Sequence, residues 1–242
     1  MSALSSRRKP GPTASVKRRP VWLFDLDNTL HDASYAAFGP TNQAMNDYIV
    51  EHVRVTETEA ALLRQRYWDR YGATLLGLVR HHGVRPHHFL EVTHRLPGLE
   101  ERLRTSRHDR AALRRLPGRK YILTNAPRAY AMRVLDTLHL TSVFDGILCI
   151  EDMEMFGEHR PKPDRRMLRS VAARLKVLPS RCVLVEDTLQ HQRAARGLGM
   201  RTVWMQRYLK RAESRTEVGR HPCPTPPYVC ARIRSLRMLY RL

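Results

Sequence analysis

The chain has 242 residues, of which 42% are hydrophobic, so it is long enough to bury the core of one α/β domain with a small insertion. Its net charge is +20, and no apolar run approaches the roughly 18 residues of a membrane helix, which argues against a membrane-spanning protein. The four cysteines form neither a disulfide framework nor a paired zinc motif, as expected for a protein of the reducing cytoplasm.

The two ends of the chain hold most of the positive charge. Residues 1–20 carry six Lys/Arg and no acid, and residues 207–242 carry nine Lys/Arg and two Glu, so the ends contribute +6 and +7 of the +20. The first segment has no apolar stretch and is therefore not a secretory signal. A disordered basic tail is expected over residues 1–20, with a transit peptide as the alternative.

The first predicted strand ends in two acidic residues. Val21 to Phe24 are apolar and indicate a buried strand, and Asp25 and Asp27 follow directly. Ligands of open parallel sheets bind outside the carboxyl ends of the strands. Like charges at such a position repel unless a cation neutralises them, which favours a metal-assisted site; an acidic pair on a solvated loop is the alternative.

The next segment departs from an alternation of strands and helices. A crossover between parallel strands needs about a dozen residues, whereas 92 residues run from Asn28 to Arg119. Helical patterns at 40–53, 56–71 and 74–82, without a convincing strand, predict an inserted helical cap. The predicted division is a cap at residues 31–105 and a core at residues 21–30 and 106–206.

The core shows the pattern of a doubly wound parallel sheet. Predicted strands lie at 120–123, 146–150, 181–185 and 201–205, and predicted helices lie at 128–138 and 163–175. Strands that alternate with helices of about ten to fifteen residues favour an α/β fold.

Three further polar groups stand out in this core. Thr124 and Asn125 follow the second strand, and Glu186 and Asp187 follow the strand at 181–185. An acidic pair favoured by a helix N-terminus is the alternative to metal binding for the latter. Lys162 lies between two prolines. A single lysine in a chain with 43 Lys/Arg is usually solvated, but the flanking prolines and the position between the other polar groups make Lys162 a candidate site residue.

Beyond Tyr208 the pattern ends. Prolines at 222, 224, 226 and 227 predict an extended, basic C-terminal tail over residues 207–242. A solvated or loosely docked end is expected for residues 228–242, and a short basic amphipathic helix that contacts a membrane or a partner is the alternative.

Taken together, these segments resemble the haloacid dehalogenase-like hydrolase superfamily. Its four motifs occur here in order, over about residues 21–206: Asp25 with Asp27, Thr124 with Asn125, Lys162, and Glu186 with Asp187. Within the superfamily the chain is similar to the bacterial pyrimidine 5'-nucleotidase-type branch, in residues 25–30, 70–78, 124–126, 186–189 and 199–203. The resemblance implies a Rossmann-like core with a cap that closes over the site.

The resemblance also implies a role for each acid of the first pair. Asp25 would attack phosphorus to form an aspartyl-phosphate, which divides a very slow hydrolysis into two easier steps. Asp27 would protonate the leaving oxygen and then deprotonate water, which requires a pKa above that of Asp25. Dehalogenase relatives lack an acid at the position of Asp27. Thr29 is expected to steady the loop through its hydroxyl, or to cap a helix or turn.

Magnesium is the cofactor that the resemblance implies. Carboxylates and waters are the usual ligands of Mg²⁺. Asp25 and Asp187 are expected as direct ligands, Asp27 as a ligand through its backbone carbonyl, and Glu186 behind them or as an occasional ligand.

The remaining motifs would hold the phosphoryl group. Thr124 and Asn125 would bind its oxygens through hydroxyl and backbone N–H groups, and Lys162 would supply a fixed positive charge. Two positions depart from the family pattern: His31 stands where relatives usually carry tyrosine, and His191 replaces an expected asparagine.

The predicted cap is rich in histidine. Its polar, arginine-rich surroundings indicate a solvated surface rather than a metal site, for His81, His82, His87, His88 and His94.

The expected function is therefore a magnesium-dependent phosphatase for a small phosphate monoester, with a pyrimidine 5'-nucleotide as the expected substrate. A phosphatase for another metabolite, such as a sugar phosphate, is the alternative with the same chemistry, because the cap sets specificity. A nucleic-acid-binding protein that uses the basic tails is the alternative of a different class. The intact motifs and an aromatic content of 7% disfavour it. A cytoplasmic location without membrane contact is expected.

Overall fold

The computed structural model describes residues 19–209 and 224–242, which fold around a parallel β-sheet. The strands in chain order are β1 (Val21–Phe24), β2 (Arg119–Leu123), β3 (Gly146–Leu148), β4 (Glu154–Met155), β5 (Glu158–His159), β6 (Cys182–Glu186), β7 (Arg201–Met205) and β8 (Ala231–Ile233). Six of them form the sheet, in the spatial order β3, β2, β1, β6, β7, β8, and β4 pairs with β5 in a separate antiparallel ribbon.

The central strands are buried on both faces. Every residue of β1 and β6 is buried, as is typical of parallel strands covered by helices on both sides. β1 pairs with β2 on one side and with β6 on the other, so that Val21 lies opposite both Arg119 and Cys182. The carboxyl ends of these three strands therefore meet at the middle of one end of the sheet.

Ten α-helices occur within the described residues. They are α1 (Ala33–Ala36), α2 (Phe38–Val53), α3 (Glu57–Tyr71), α4 (Thr74–His82), α5 (Pro86–Thr93), α6 (Leu99–Arg102), α7 (Arg107–Arg115), α8 (Arg128–Thr137), α9 (Arg165–Arg174) and α10 (Leu189–Arg196). None of these helices has the length and apolar character needed to cross a membrane.

Successive residues of β1 face opposite sides of the sheet and enter two different cores. Trp22 and Phe24 join the cluster that contains α8, whereas Leu23 joins the cluster that contains Leu168 and Val171 of α9. A sheet with helices on both faces is the predicted doubly wound α/β fold, which is confirmed.

Helices α2 to α5, which lie between β1 and β2 in the sequence, form a third core. Helix α3 begins with a capping box, in which the N–H of Glu59 donates to the Thr56 hydroxyl and the N–H of Thr56 donates to the Glu59 carboxylate. It ends at Gly72, whose φ of 78° favours glycine. A Cβ at this position would lie 3.0 Å from Cδ of Pro163, so the glycine allows α3 to approach the segment that carries Lys162.

The structure corrects the prediction for the C-terminus. β8 adds to the sheet beside β7, and residues Leu236–Arg241 form a 3₁₀ helix, whereas a solvated or loosely docked tail was expected. Ile233, Leu236 and Leu239 are buried in the same core as Phe24. Leu236 and Leu239 both lie in the 3₁₀ helix, and their spacing of three residues suits its three residues per turn. Residues 1–18 and 210–223, in the predicted tails, lie outside the described residues.

Candidate active site

The predicted site residues converge at the carboxyl ends of three neighbouring strands. Asp25 follows β1, Thr124 follows β2, and Glu186 ends β6. The backbone N–H of Asp25 donates to Val185 of β6 at 3.0 Å, and that of Thr124 donates to Leu148 of β3 at 3.0 Å. These hydrogen bonds continue the sheet for one residue and fix the positions from which the side chains start.

Asp25 lies between two donors. Its Oδ1 accepts a hydrogen bond from Nζ of Lys162 at 2.6 Å, and its Oδ2 accepts one from the hydroxyl of Thr29 at 3.4 Å. The residue is only 6% exposed. The Thr29 hydroxyl therefore contacts the Asp25 carboxylate directly and helps to orient that carboxylate.

Lys162 is fully buried and bridges two acids. Its Nζ lies 2.6 Å from Oδ1 of Asp25 and 2.7 Å from Oε2 of Glu186. The side chain of Asn125 holds the backbone of Lys162 on both sides, because its amide donates to the Lys162 carbonyl and its oxygen accepts from the Lys162 N–H, both at 2.9 Å. Asn125 thus positions the lysine, a contact that the sequence did not predict.

Three carboxylates gather beside this lysine. Asp25, Glu186 and Asp187 each offer an oxygen within 4.8 Å of the others. Three acids against one lysine leave a net negative charge, and an all-oxygen donor set suits Mg²⁺. The residues present therefore fit a magnesium ion. Glu186, expected mainly behind the ligands, belongs to the group itself.

The crowding of these acids separates their pKa values. Burial and the charge of Glu186 raise the pKa of Asp25 to about 8, and the same two causes raise the pKa of Asp187 well above its usual value. Burial alone would raise the pKa of Glu186, but the adjacent Lys162 and His191 hold it below its usual value.

Asp27 is not a member of this group of three carboxylates and has polar partners of its own. Its Oδ1 lies 3.0 Å from Nε2 of His31 and accepts a hydrogen bond from the Tyr130 hydroxyl at 2.7 Å. Burial works against ionisation, but these two contacts lower the pKa of Asp27 below its usual value. The predicted order of the two pKa values is therefore wrong in this arrangement, because Asp27 has polar partners whereas Asp25 faces other carboxylates.

The two departures from the family pattern lie at the site. His31 is completely buried behind Asp27, and Nδ1 of His191 lies 3.1 Å from Oε2 of Glu186. Each histidine contacts one of the acids.

The prediction of a solvated surface is wrong for His94. This side chain is half-buried, its ring packs edge-on against Tyr130 with the centroids 5.8 Å apart, and it lines the same cavity as Asp27. Burial lowers the pKa of His94 to about 4. His81, His82 and His87 are exposed, as predicted.

Thr124 is buried next to the acids. Its hydroxyl oxygen accepts a hydrogen bond from the N–H of Ala126 at 3.1 Å and so shapes the turn after β2. Thr124 and Asn125 both line the cavity that contains Asp25 and Lys162.

A cavity of about 510 Å³ lies over the acids, between the strand ends and the inserted helices. Its floor is formed by the site residues described above. Its other wall consists of side chains from α2, α3, α5 and the residue that follows α5: Phe38, Asn42, Met45, Arg64, Gln65, Trp68, Phe89, Leu90 and His94. On α2 the lining residues Phe38, Thr41, Asn42 and Met45 recur at i, i+3, i+4 and i+7, a helical spacing that is visible in the sequence.

Comparison with known proteins gives a consistent result. The family model for haloacid dehalogenase-like hydrolases matches residues 21–199. Phosphate metabolism protein 8 of Saccharomyces cerevisiae is 24% identical over 195 residues, which make up 75% of this chain and 60% of that protein. The chain thus spans about 60% of the length of this curated relative.

Solved structures of low identity share the fold. The magnesium-bound HAD-hydrolase YfnB of Bacillus subtilis has a TM-score of 0.57 at 19% identity, with 93% of this chain and 98% of that chain covered. A HAD phosphatase from Thermococcus onnurineus has a TM-score of 0.59 at 19% identity, with 92% of this chain and 96% of that chain covered. L-2-haloacid dehalogenase from Xanthobacter autotrophicus has a TM-score of 0.52 at 16% identity, with 92% of this chain and 97% of that chain covered. Because a phosphatase and a dehalogenase both match, the fold does not choose between these reactions.

Proposed function

The chain belongs to the haloacid dehalogenase-like hydrolases, and we propose that it is a magnesium-dependent phosphatase that hydrolyses a small phosphate monoester through an aspartyl-phosphate. The observation that carries this proposal is the second carboxylate, Asp27. It lies two residues after Asp25 and contacts His31 and Tyr130 through its side chain. A general acid is needed to release an alkoxide, whereas a halide leaves without a proton.

In the first step an oxygen of the Asp25 carboxylate attacks phosphorus, and the bond from phosphorus to the leaving oxygen breaks. Lys162 and Thr29 orient this carboxylate through the contacts at 2.6 Å and 3.4 Å. Thr124 and the backbone N–H groups of the turn after β2 bind the phosphoryl oxygens. The product of this step is an acyl phosphate on Asp25.

Asp27 moves the proton in both steps. It donates a proton to the leaving oxygen, and it then takes a proton from the water that attacks the acyl phosphate, so that the free Asp25 carboxylate and inorganic phosphate result. Asp27 must be protonated when substrate is bound. A phosphate dianion nearby favours that state, because like charges raise the pKa of a carboxyl group.

The family resemblance and the magnesium-bound structure of YfnB support Mg²⁺ as the ion of this site. Asp25, Asp187 and the backbone carbonyl of Asp27 would hold the ion, with Glu186 beside them; when bound, it shields the carboxylates from the incoming phosphate. This assignment agrees with the group of three carboxylates.

The proposed substrate is a pyrimidine 5'-nucleotide. The resemblance to the pyrimidine 5'-nucleotidase branch supports it, and a cavity of about 510 Å³ has room for a leaving group larger than the phosphate. The yeast relative is named for phosphate metabolism, which is consistent with a phosphatase. A sugar phosphate is the second candidate. We take residues 31–105 as the cap that distinguishes between a pyrimidine 5'-nucleotide and a sugar phosphate. We also propose that the protein acts in the cytoplasm.

Turnover of p-nitrophenyl phosphate by the full chain tests the activity. We expect hydrolysis with Mg²⁺, loss of hydrolysis after treatment with EDTA, and recovery when Mg²⁺ is restored. Asp25→Asn should abolish turnover in a folded protein, because it removes both the nucleophile and a ligand. Full activity in EDTA would overturn the metal assignment, and substantial turnover by Asp25→Asn would overturn the aspartyl-phosphate. An inactive wild-type protein that retains nucleic acid in a salt-dependent manner would favour the binding alternative.

A further inference from the structure

The wall of the cavity opposite the acids has its own chemical character. Asn42 from α2 and Arg64, Gln65 and Trp68 from α3 line it. The three α3 residues lie at i, i+1 and i+4, on the side of the helix that faces the cavity. None of these residues is a member of the group of three carboxylates, and the reaction proposed above does not use them.

Arg64 is held in place by neutral partners. Its Nε donates to Oδ1 of Asn46 at 2.9 Å, and its Nη1 donates to Oδ1 of Asn42 at 3.1 Å. Among the ion pairs of the described residues, none involves Arg64, so no acid balances its charge. Two amides thus fix a half-buried guanidinium at the cavity with donors left over. Such a group suits an oxygen acceptor on a ligand.

Aromatic surface lies next to this arginine. Trp68 is 53% exposed and Phe38 is 40% exposed, although both line the cavity. Large aromatic side chains with an open face bind planar rings by stacking. A ligand that has a planar ring with oxygen acceptors would therefore use both the arginine and the aromatic surface, whereas a plain sugar would leave the aromatic surface uncovered.

From these contacts we propose that Arg64 and Trp68 form the base-binding part of the site, where the ring of a pyrimidine stacks on Trp68 and its carbonyl oxygens accept hydrogen bonds from Arg64. This proposal rests on the proposed phosphatase function and deepens it. Uracil has two carbonyl oxygens and adenine has none, so Arg64 favours uridine 5'-phosphate over adenosine 5'-phosphate. The cavity volume of about 510 Å³ falls within the range of small-molecule sites.

The wild-type protein provides the first measurement. With Mg²⁺ present, kcat/KM is measured for uridine 5'-phosphate, adenosine 5'-phosphate and ribose 5-phosphate, with p-nitrophenyl phosphate as the reference for activity. We expect uridine 5'-phosphate to exceed both others by about 10-fold or more, because neither of them has a planar ring with carbonyl oxygens to pair with the charged donor. Equal values for uridine 5'-phosphate and ribose 5-phosphate would overturn the proposal while the phosphatase function stands. No turnover of any of the four would instead refute the phosphatase function.

Two variants then test the residues. Arg64→Met should lower kcat/KM for uridine 5'-phosphate by about 10- to 100-fold, and Trp68→Ala by about 5- to 100-fold, with ribose 5-phosphate changed less than about 3-fold. Arg66→Met is the matched control, because Arg66 is an exposed arginine of the same helix that does not line the cavity. It should leave all substrates unchanged.

The thermal midpoint of each variant is measured as well, since Arg64 also joins α3 to α2. An equal loss on all substrates would assign Arg64 to the packing of the helices and overturn its role in binding. Arg64→Lys keeps the charge without the planar fork, so it should retain binding only in part. If Arg64→Lys and Arg64→Met both leave the preference for uridine 5'-phosphate intact, the base is bound elsewhere.

Discussion

Lys162 is the position at which the structure makes its sharpest energetic prediction. Its Nζ lies within 2.7 Å of both Asp25 and Glu186, and its side chain is completely buried. Lys162→Met keeps the approximate length of the side chain and removes the charge. Three carboxylates then face one another without a cation from the protein.

The expected loss of stability follows from this geometry. Removal of one partner from a buried ion pair costs about 3–5 kcal/mol, because the other charge stays buried. In a chain of this length about 1 kcal/mol lowers the thermal midpoint by roughly 2–4 °C, so a decrease of about 6–20 °C is expected. Without Lys162 the folded protein binds protons more tightly than the unfolded chain, so the loss should grow as the pH rises.

Urea unfolding of the full chain in EDTA, at pH 6 and pH 8, measures this loss. Lys176→Met is the control, since Lys176 is exposed and its replacement should change the free energy of unfolding by less than about 0.5 kcal/mol. Mg²⁺ should restore part of the stability of Lys162→Met, because it binds the folded state only; saturation at 100 times the Kd adds about 2.7 kcal/mol. A loss below about 1 kcal/mol at pH 8 would refute the account of the site as a charge cluster held by Lys162.

Three further predictions concern the site and the sheet. In EDTA the wild-type free energy of unfolding should fall as the pH rises from about 6.5 to 8, by up to about 1.4 kcal/mol per pH unit for each acid. The reason is that the pKa of Asp25 is raised to about 8 in the folded state, so the folded protein holds a proton that the unfolded chain has lost. Urea titrations at several pH values should show a smaller slope for Asp25→Asn, and an identical slope would contradict the shift. Asn125→Ala removes two hydrogen bonds to the backbone of Lys162, so it should cost about 2–4 kcal/mol and lower kcat more than it raises KM; unchanged kcat would show that Lys162 needs no such support. A chain that ends at residue 206 loses the buried Ile233, Leu236 and Leu239, worth about 1.5–3 kcal/mol each, and should melt well below a chain that lacks only residues 1–18; equal midpoints would show that β8 is dispensable.

The sequence predicted the convergence of the site because that convergence follows from topology. Each apolar run ended in a polar group, and parallel strands present their carboxyl ends at the same end of a sheet. The sequence did not predict which of the acids would form the group of three carboxylates and which would lie outside it. The contact of Tyr130 with Asp27 joins residues 103 positions apart, and it gives Asp27 a different partner from Asp25, which lies only two positions before it in the sequence.

Other contacts had no local signal at all. The two-sided hold of Asn125 on Lys162 depends on the backbone path of a segment 37 residues away. β8 has only three residues, one of them Arg232, so no apolar run marked it as a strand. His94 was assigned to the surface because its neighbours in sequence are polar, whereas the fold turns its ring toward Tyr130. Pairing and burial of this kind are decided by tertiary packing, which outweighs local preference.

The position of β1 at the middle of the sheet also sets the time at which a nascent chain becomes an enzyme. Val21 pairs with Arg119 and with Cys182, so the two neighbours of this strand are synthesised 98 and 161 residues after it. At roughly 5–20 residues per second, a ribosome needs about 8–32 s to add those 161 residues. For the first 98 of these residues the apolar β1 has neither of its partners in the sheet, and it lacks β6 until the end of the interval. Helices α2 to α5 can form meanwhile, since their contacts are local. The last acids of the cluster arrive only with the end of β6.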